Sequence, residues 1–222
     1  DTKGDKNIAI GSGALATQNF TTTTDSHNTA IGHDAGNDIT TGVENTLVGG
    51  LAGDALSDAD YNVAVGMYSL TSDTYGSRSV ALGYSALSTQ NFTTATQSHN
   101  VAVGFQAATA LTTGIQNVAI GSGALDTTTT SNYQTAVGHE ALYSSQTSSV
   151  SVNAYNTAVG YKVMYDNTTG TNNTAVGAHA FQNNLTGHYN VVMGMHALQA
   201  EEDGDYSVAI GYQSLYNQNS DS

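Results

Sequence analysis

Cysteine, proline and tryptophan are all missing from this 222-residue chain. Without cysteine there is neither a disulfide framework nor a thiolate site for a structural zinc, so packing and backbone hydrogen bonds must hold the fold. Positive charge is nearly as scarce. Four Lys and Arg stand against eighteen Asp and Glu, a net charge of −14. That balance repels polyanions at long range, so nucleic acid and acidic membrane surfaces are poor partners. Long apolar runs are absent too: none approaches the roughly 20 residues that span a bilayer, and no basic-then-apolar leader opens the sequence. The chain is expected neither to insert into a membrane nor to carry its own export signal.

What remains is rich in Gly, Thr, Ser, Asn and Ala, a composition that alone would suit a disordered chain. A repeat argues for order. Aligned on one glycine, the chain reads Asn7-Ile8-Ala9-Ile10-Gly11, Asn28-Thr29-Ala30-Ile31-Gly32, Asn45-Thr46-Leu47-Val48-Gly49 and Asn62-Val63-Ala64-Val65-Gly66. Further copies end at Gly83, Gly104, Gly121, Gly138, Gly160, Gly177, Gly194 and Gly211, which makes twelve marker glycines. Eight of the eleven steps between them are 17 residues long, and the others are 21, 21 and 22. A fixed period with occasional insertions is the signature of stacked coils with enlarged loops. The array is predicted to be a single domain over 1–222, with those loops near residues 16–27, 88–99 and 143–155. No capping segment is evident at either end, so a fragment of a longer protein is expected.

Before each glycine, β-branched residues alternate with alanine at period two, which reads as a short strand. A helix would place a costly glycine in every unit. After the glycine a second apolar patch follows, such as Ala14-Leu15, Ala86-Leu87 or Ala197-Leu198. Seventeen residues accommodate two strands of about five residues and two tight turns. No hexapeptide or leucine-rich pattern is present. The fold class is therefore all-β, a parallel β-solenoid of about twelve 17-residue coils.

Both faces of the marker strand are small or apolar: Ile8 and Ile10 on one, Asn7, Ala9 and Gly11 on the other. A strand patterned this way is covered on both sides. One cover is the coil's own far wall. A coil this small lacks volume for a second core, so identical chains around an axis are the expected other cover, and a homotrimer is predicted. The sequence does not say which face points inward.

The unit Asn-Thr/Val-Ala-Val/Ile-Gly-x-x-Ala/Ser-Leu, repeated from Asn7 to about Leu215, resembles the head repeats of trimeric autotransporter adhesins of the YadA type. It also resembles repeat segments of bacteriophage tail fibres. The stretch Asn167-Thr168-Thr169-Gly170-Thr171-Asn172-Asn173-Thr174-Ala175-Val176-Gly177 is more similar to marine phage fibres. The resemblance implies a left-handed parallel β-roll, three chains side by side, in a homotrimeric fibre segment on a virion tail fibre or a bacterial cell surface. The 17-residue spacing is longer than in adhesin heads, and Ser79, Gln134 and Ser207 replace the motif asparagine.

Candidate contact residues lie in the long steps. Two of these hold near-duplicates, Thr17-Gln18-Asn19-Phe20 leading to His27 and Thr89-Gln90-Asn91-Phe92 leading to His99; the third runs Tyr143 to Tyr155. Loops on one side of a roll, presenting Phe20, His27, Phe92, His99, Tyr143 and Tyr155, suit contact with a host glycan or protein. The competing reading folds Phe20 and Phe92 back onto a neighbouring coil. Tyr61, Tyr133, Tyr155, Tyr189 and Tyr206 precede the motif, while Tyr84, Tyr161 and Tyr212 follow the glycine. Recurring aromatics at one corner form a packed ladder, with a sugar platform as the alternative.

The histidines lack metal-site spacing, and the acidic turns Glu201 to Asp205 and Asp54 to Asp60 lack the ligand order of a calcium loop, so no cofactor or metal is assigned. Gly-Ser-Gly at 11–13 and 121–123 belongs to the repeat and is not a nucleophile elbow. Thr21 to Thr24 and Thr127 to Thr130 do not recur once per coil, so no ice-binding lattice is expected. The enzyme alternative is a tailspike cleaving polysaccharide with paired carboxylates. Its acids lie mainly in turns, where low pKa values are expected, so no catalysis is predicted. The sequence reading is an extracellular structural or adhesive fibre segment that contributes to host attachment.

Overall fold

A computed structural model describes residues 3–145 and 153–218. Among them every regular element is a β-strand. The chain divides into two compact units, Asp1–Thr112 and Thr113–Ser222. The third enlarged loop, expected at 143–155, falls partly on residues 146–152, outside the described residues.

The first unit runs β1 (Gly4–Asp5), β2 (Ile8–Ile10), β3 (Thr24–Asp25), β4 (Thr29–Ile31), β5 (Thr46–Val48), β6 (Val63–Val65), β7 (Gly76–Ser77), β8 (Val80–Leu82), β9 (Thr96–Gln97) and β10 (Val101–Val103). The six three-residue strands are the marker strands, and each pairs in parallel with the next without slip. Ala30 lies opposite Leu47, Leu47 opposite Ala64, Ala64 opposite Ala81 and Ala81 opposite Ala102. The second unit holds six more: β11 (Val118–Ile120), β12 (Thr135–Val137), β13 (Thr157–Val159), β14 (Thr174–Val176), β15 (Val191–Met193) and β16 (Val208–Ile210). They pair in parallel in chain order. Each unit is thus a parallel β-solenoid of six coils, one ladder rung per repeat.

Where one rung stacks on the next, as at Gly11 and Gly66, the marker glycines sit so close that no side chain fits. A Cβ on Gly11 would lie 2.3 Å from the carbonyl oxygen of Gly32, and one on Gly66 2.5 Å from that of Gly83.

The far wall is not the second strand expected from the sequence. It is a succession of turns, because the second and fourth residues after the marker glycine are left-handed in coil after coil. Tyr68 (φ 60°) and Leu70 (φ 52°) show this, as do His196 (φ 57°) and Leu198 (φ 48°). A left-handed residue reverses the direction in which its amide points, which breaks the strand's alternation. Hydrogen bonding to the next coil survives, as in Leu70 N–H to the Ala86 carbonyl at 3.0 Å.

In each unit the core lies between these walls. The middle residue of each inner marker strand, such as Ala64, Ala136 or Ala175, is fully buried, as are Leu70, Leu87, Leu142 and Phe181 of the far wall. Where the far wall has Gly36 and Gly53 instead of leucine, the strand carries Leu47 instead of alanine. A Cβ on Gly36 would meet Leu47 Cδ1 at 2.7 Å, so Leu47 fills the space its neighbours leave.

The motif asparagines form a second, buried ladder. Asn62 Oδ1 accepts the backbone N–H of Ser79 at 2.9 Å, and its Nδ2 donates to the Gly76 carbonyl at 2.9 Å. Asn45 and Asn173 bond their neighbours the same way. One side chain thereby satisfies a donor in the next coil and a carbonyl 14 residues on, both out of reach of water.

Candidate functional site

Two surfaces carry functional potential: the outward face of the marker strands, and the corner where the enlarged loops join the stack.

The alternation left open by the sequence resolves with the middle residue inward, alanine in all but Leu47 and Val192, and the flanking residues outward: Val, Ile, Leu or Met just before the glycine, and Val, Ile or Thr two residues earlier. The outward residues of β6 and β8, Val63, Val65, Val80 and Leu82, are partly exposed. The same face continues through Met67, Tyr84 and Phe105, the residues following three successive glycines, with Phe105 54% exposed. In the second unit Val191, Met193 and Met195 repeat it, at 42 to 48% exposure. Contiguous apolar side chains on an exposed sheet face are the kind of surface that marks an interaction site.

The enlarged loops are each pinned to the preceding coil by a short parallel pairing. Thr24 pairs with Gly4 and Asp25 with Asp5; Thr96 pairs with Gly76 and Gln97 with Ser77; Asn153 bridges Asn132. Five residues before the marker glycine, each of these coils presents a left-handed residue that clasps its loop. Lys6 bonds Asp25 at 2.6 Å, Arg78 bonds Gln97 at 3.1 Å, and Tyr133 stacks on Tyr155 at 5.1 Å.

Inside the duplicated loops the repeated letters have structural work. Phe20 and Phe92 are buried, 7% and 6% exposed, which is the fold-back reading and removes both rings as contact residues in this chain. Gln18 and Gln90 are buried with them; Gln90 Nε2 reaches Asp73 at 2.5 Å and Ser79 Oγ at 3.1 Å. Two of the three asparagine replacements bond to residues of their own loops. In the 21-residue step that begins at Gly83, Ser79 meets Ser98 Oγ at 2.6 Å, and in the 22-residue step Gln134 accepts from Ser145 at 3.0 Å.

Of the remaining predicted contact residues, His27 and His99 are exposed and occupy equivalent places, each with Nδ1 near the carbonyl two residues before it, at 3.1 and 3.2 Å. Tyr155 is exposed, and Tyr143 is half-buried in a stack on Tyr165 at 5.0 Å. The recurring aromatics do stack along the coils, as expected: Tyr84 on Phe105 at 5.4 Å and Tyr189 on Tyr206 at 5.1 Å.

Sequence reasoning missed a corner groove beside the second duplicated loop. Asp58, Asp60 and Tyr61 of one coil, Arg78 of the next, and Thr96 and Gln97 of the loop enclose about 250 Å³. The signal that could have found it is the placement of Lys6 and Arg78, two of only four cations, five residues before the markers that open the duplicated loops.

The expectation of low pKa values for the turn carboxylates is overturned at three positions. Burial holds Asp54, Asp60 and Asp166 above the ordinary carboxylate range, and neighbouring carboxylates add to this at Asp54 and Asp60. Coil stacking buries turns that would be solvated on a globular surface. Asp25 is displaced the other way, by its bond to Lys6. A carboxyl whose folded pKa is raised binds its proton more tightly folded than unfolded, so stability rises as pH falls through that range. Asp25 opposes this but is exposed and contributes little. Calorimetric melting temperatures should therefore rise as pH falls from neutrality toward the ordinary aspartate value of about 3.9; a steady fall over that range would contradict the burial of these carboxyls.

Among the described residues no three His, Asp or Glu side chains gather as a metal site. The fold places the chain in the class of parallel β-solenoids. Neither a protein-family model, nor a curated protein, nor a solved structure matches it.

Proposed function

We propose that the chain is a structural and adhesive fibre segment, self-associating as a homotrimer of left-handed β-rolls, and that it belongs to a phage tail fibre that helps attach the virion to a host surface. The observation that carries this reading is the apolar residue that every marker strand turns outward just before its glycine, Ile, Val, Leu or Met in coil after coil. A second copy supplies the matching apolar surface, and closed symmetry covers it on every chain. The resemblance to adhesin-head and fibre repeats favours three chains. A bacterial trimeric autotransporter head uses the same coil for the same mechanical reason and is the alternative.

Sedimentation equilibrium tests it. The expected species has three times the 22.8 kDa chain mass, and a folded 22.8 kDa species would overturn the proposal. Placing a charge on the face, as in Val65→Asp with Phe105→Asp, should weaken assembly by ~100-fold or more while coil folding persists, because an unpaired charge would be buried at the contact.

One observation favours the enzyme reading enough to test it: Asp60, held above the ordinary carboxylate range, shares a groove with Asp58. Incubation with capsule or lipopolysaccharide should leave chain lengths unchanged. Shortened products that disappear on Asp60→Asn would replace the adhesive reading with a depolymerising one.

A further inference from the structure

We propose that the corner groove beside the second duplicated loop is a binding subsite for a single neutral sugar ring of a surface glycan. The inference deepens the attachment reading and rests on it.

The two duplicated loops differ where their coils clasp them. In the first, the Lys6 ammonium is neutralised by the Asp25 carboxylate at 2.6 Å. In the second, the equivalent pair is Arg78 and Gln97, so the guanidinium is held in place by a neutral amide at 3.1 Å and keeps its charge and its remaining N–H donors. Its Cζ also stands 5.4 Å from the centroid of the Tyr61 ring, which fixes the fork over an exposed aromatic.

Of the two carboxylates that line the groove, each commits one oxygen to the neighbouring coil. Asp60 Oδ1 accepts from the Val43 N–H at 2.8 Å, and Asp58 Oδ1 accepts from the Thr41 hydroxyl at 2.5 Å. Their second oxygens remain as acceptors. The groove therefore brings fixed donors and fixed acceptors together beside an aromatic ring, on a frame pinned by the parallel pairing of β7 with β9. Little ordering remains to be done when a ligand arrives.

The chemistry of the walls selects the ligand. A hydroxyl donates and accepts at once, so adjacent hydroxyls of a sugar can bridge a guanidinium and a carboxylate. An acidic sugar would meet Asp58 and Asp60 within the field of a chain carrying −14. A cationic ligand would meet Arg78. The volume, about 250 Å³, lies below the roughly 300–1,000 Å³ of drug-sized sites, which suits one ring rather than a chain of them.

The test is a saturation-transfer NMR titration of the intact chain with the methyl glycosides of glucose, galactose, mannose and N-acetylglucosamine, and with N-acetylneuraminic acid as the acidic comparator. At least one neutral glycoside should bind saturably at about millimolar concentration. Arg78→Gln and Asp58→Asn should each weaken it about tenfold, with an unchanged melting temperature, and Lys6→Gln at the first loop should leave it unmoved. Three results would overturn the subsite: no saturable binding of any neutral glycoside, preference for the acidic sugar, or binding indifferent to both groove substitutions. Sedimentation of the same samples separates this from the parent reading. A homotrimer without sugar binding overturns the subsite and leaves the fibre standing, whereas a sugar-binding monomer keeps the subsite and removes the fibre.

Discussion

Gly66→Ala is expected to cost about 3–5 kcal/mol of stability. Two terms combine. The backbone at Gly66 has φ +132°, a conformation that an L side chain adopts only with strain. The new Cβ would also lie 2.5 Å from the carbonyl oxygen of Gly83, and that atom belongs to a ladder rung that cannot swing aside as a flexible side chain would. Gly211→Ala separates the terms. It shares the positive φ, at +123°, but a Cβ there meets nothing within 4 Å. It should lose only the strain, about 1–3 kcal/mol. Urea unfolding of both variants checks this, and equal losses would mean that rung-to-rung contact plays no part in the requirement for glycine.

Asn62→Ala should cost about 2–5 kcal/mol, because it strands two buried backbone groups, the Ser79 N–H and the Gly76 carbonyl. Asn62→Asp is the sharper probe. It keeps the acceptor, loses the donor and sets a carboxylate against the Gly76 carbonyl. The folded pKa of the introduced carboxyl should be raised by burial and by that carbonyl, so the loss at neutral pH should be at least as large as for alanine. Once protonated, the carboxyl regains a donor, and stability should recover as pH falls through the raised pKa. Urea unfolding of the Asn62→Asp chain at neutral pH decides the matter: stability equal to the parent's would show that the donated bond is dispensable.

The ladder was legible because Val63-Ala64-Val65 and its copies alternate at period two and the marker glycine recurs at a fixed interval. The far wall was not. Nothing in the letters Tyr68 or Leu70 announces a left-handed backbone; the stack imposes it, overriding the preference of both residues. The inward face was equally hidden, since alanine and valine are both apolar, and only the leucines of the opposite wall decide that the smaller residue fits inside. The asparagine ladder left a partial trace: Ser79 and Gln134 replace asparagine in two of the three coils whose next glycine arrives 21 or 22 residues later, while the third keeps Asn7. Phe20 and Phe92 misled because they sit in polar loops, and their burial comes from coils distant in sequence. The groove depends on Arg78 and Gln97 meeting across 19 residues, a distance at which local pattern says nothing.

The left-handed residues bear on how the chain reaches its native state. A solitary coil would hold Tyr61, Tyr68 and Leu70 in that conformation at about 1–2 kcal/mol apiece, with no partner to offset it. Initiation should therefore be slow and elongation fast, as in helix formation. Each new rung finds its template about 17 residues away, a relative contact order of roughly 0.08, in the range of helical bundles rather than sandwiches. The architecture is parallel sheet, yet it should zip.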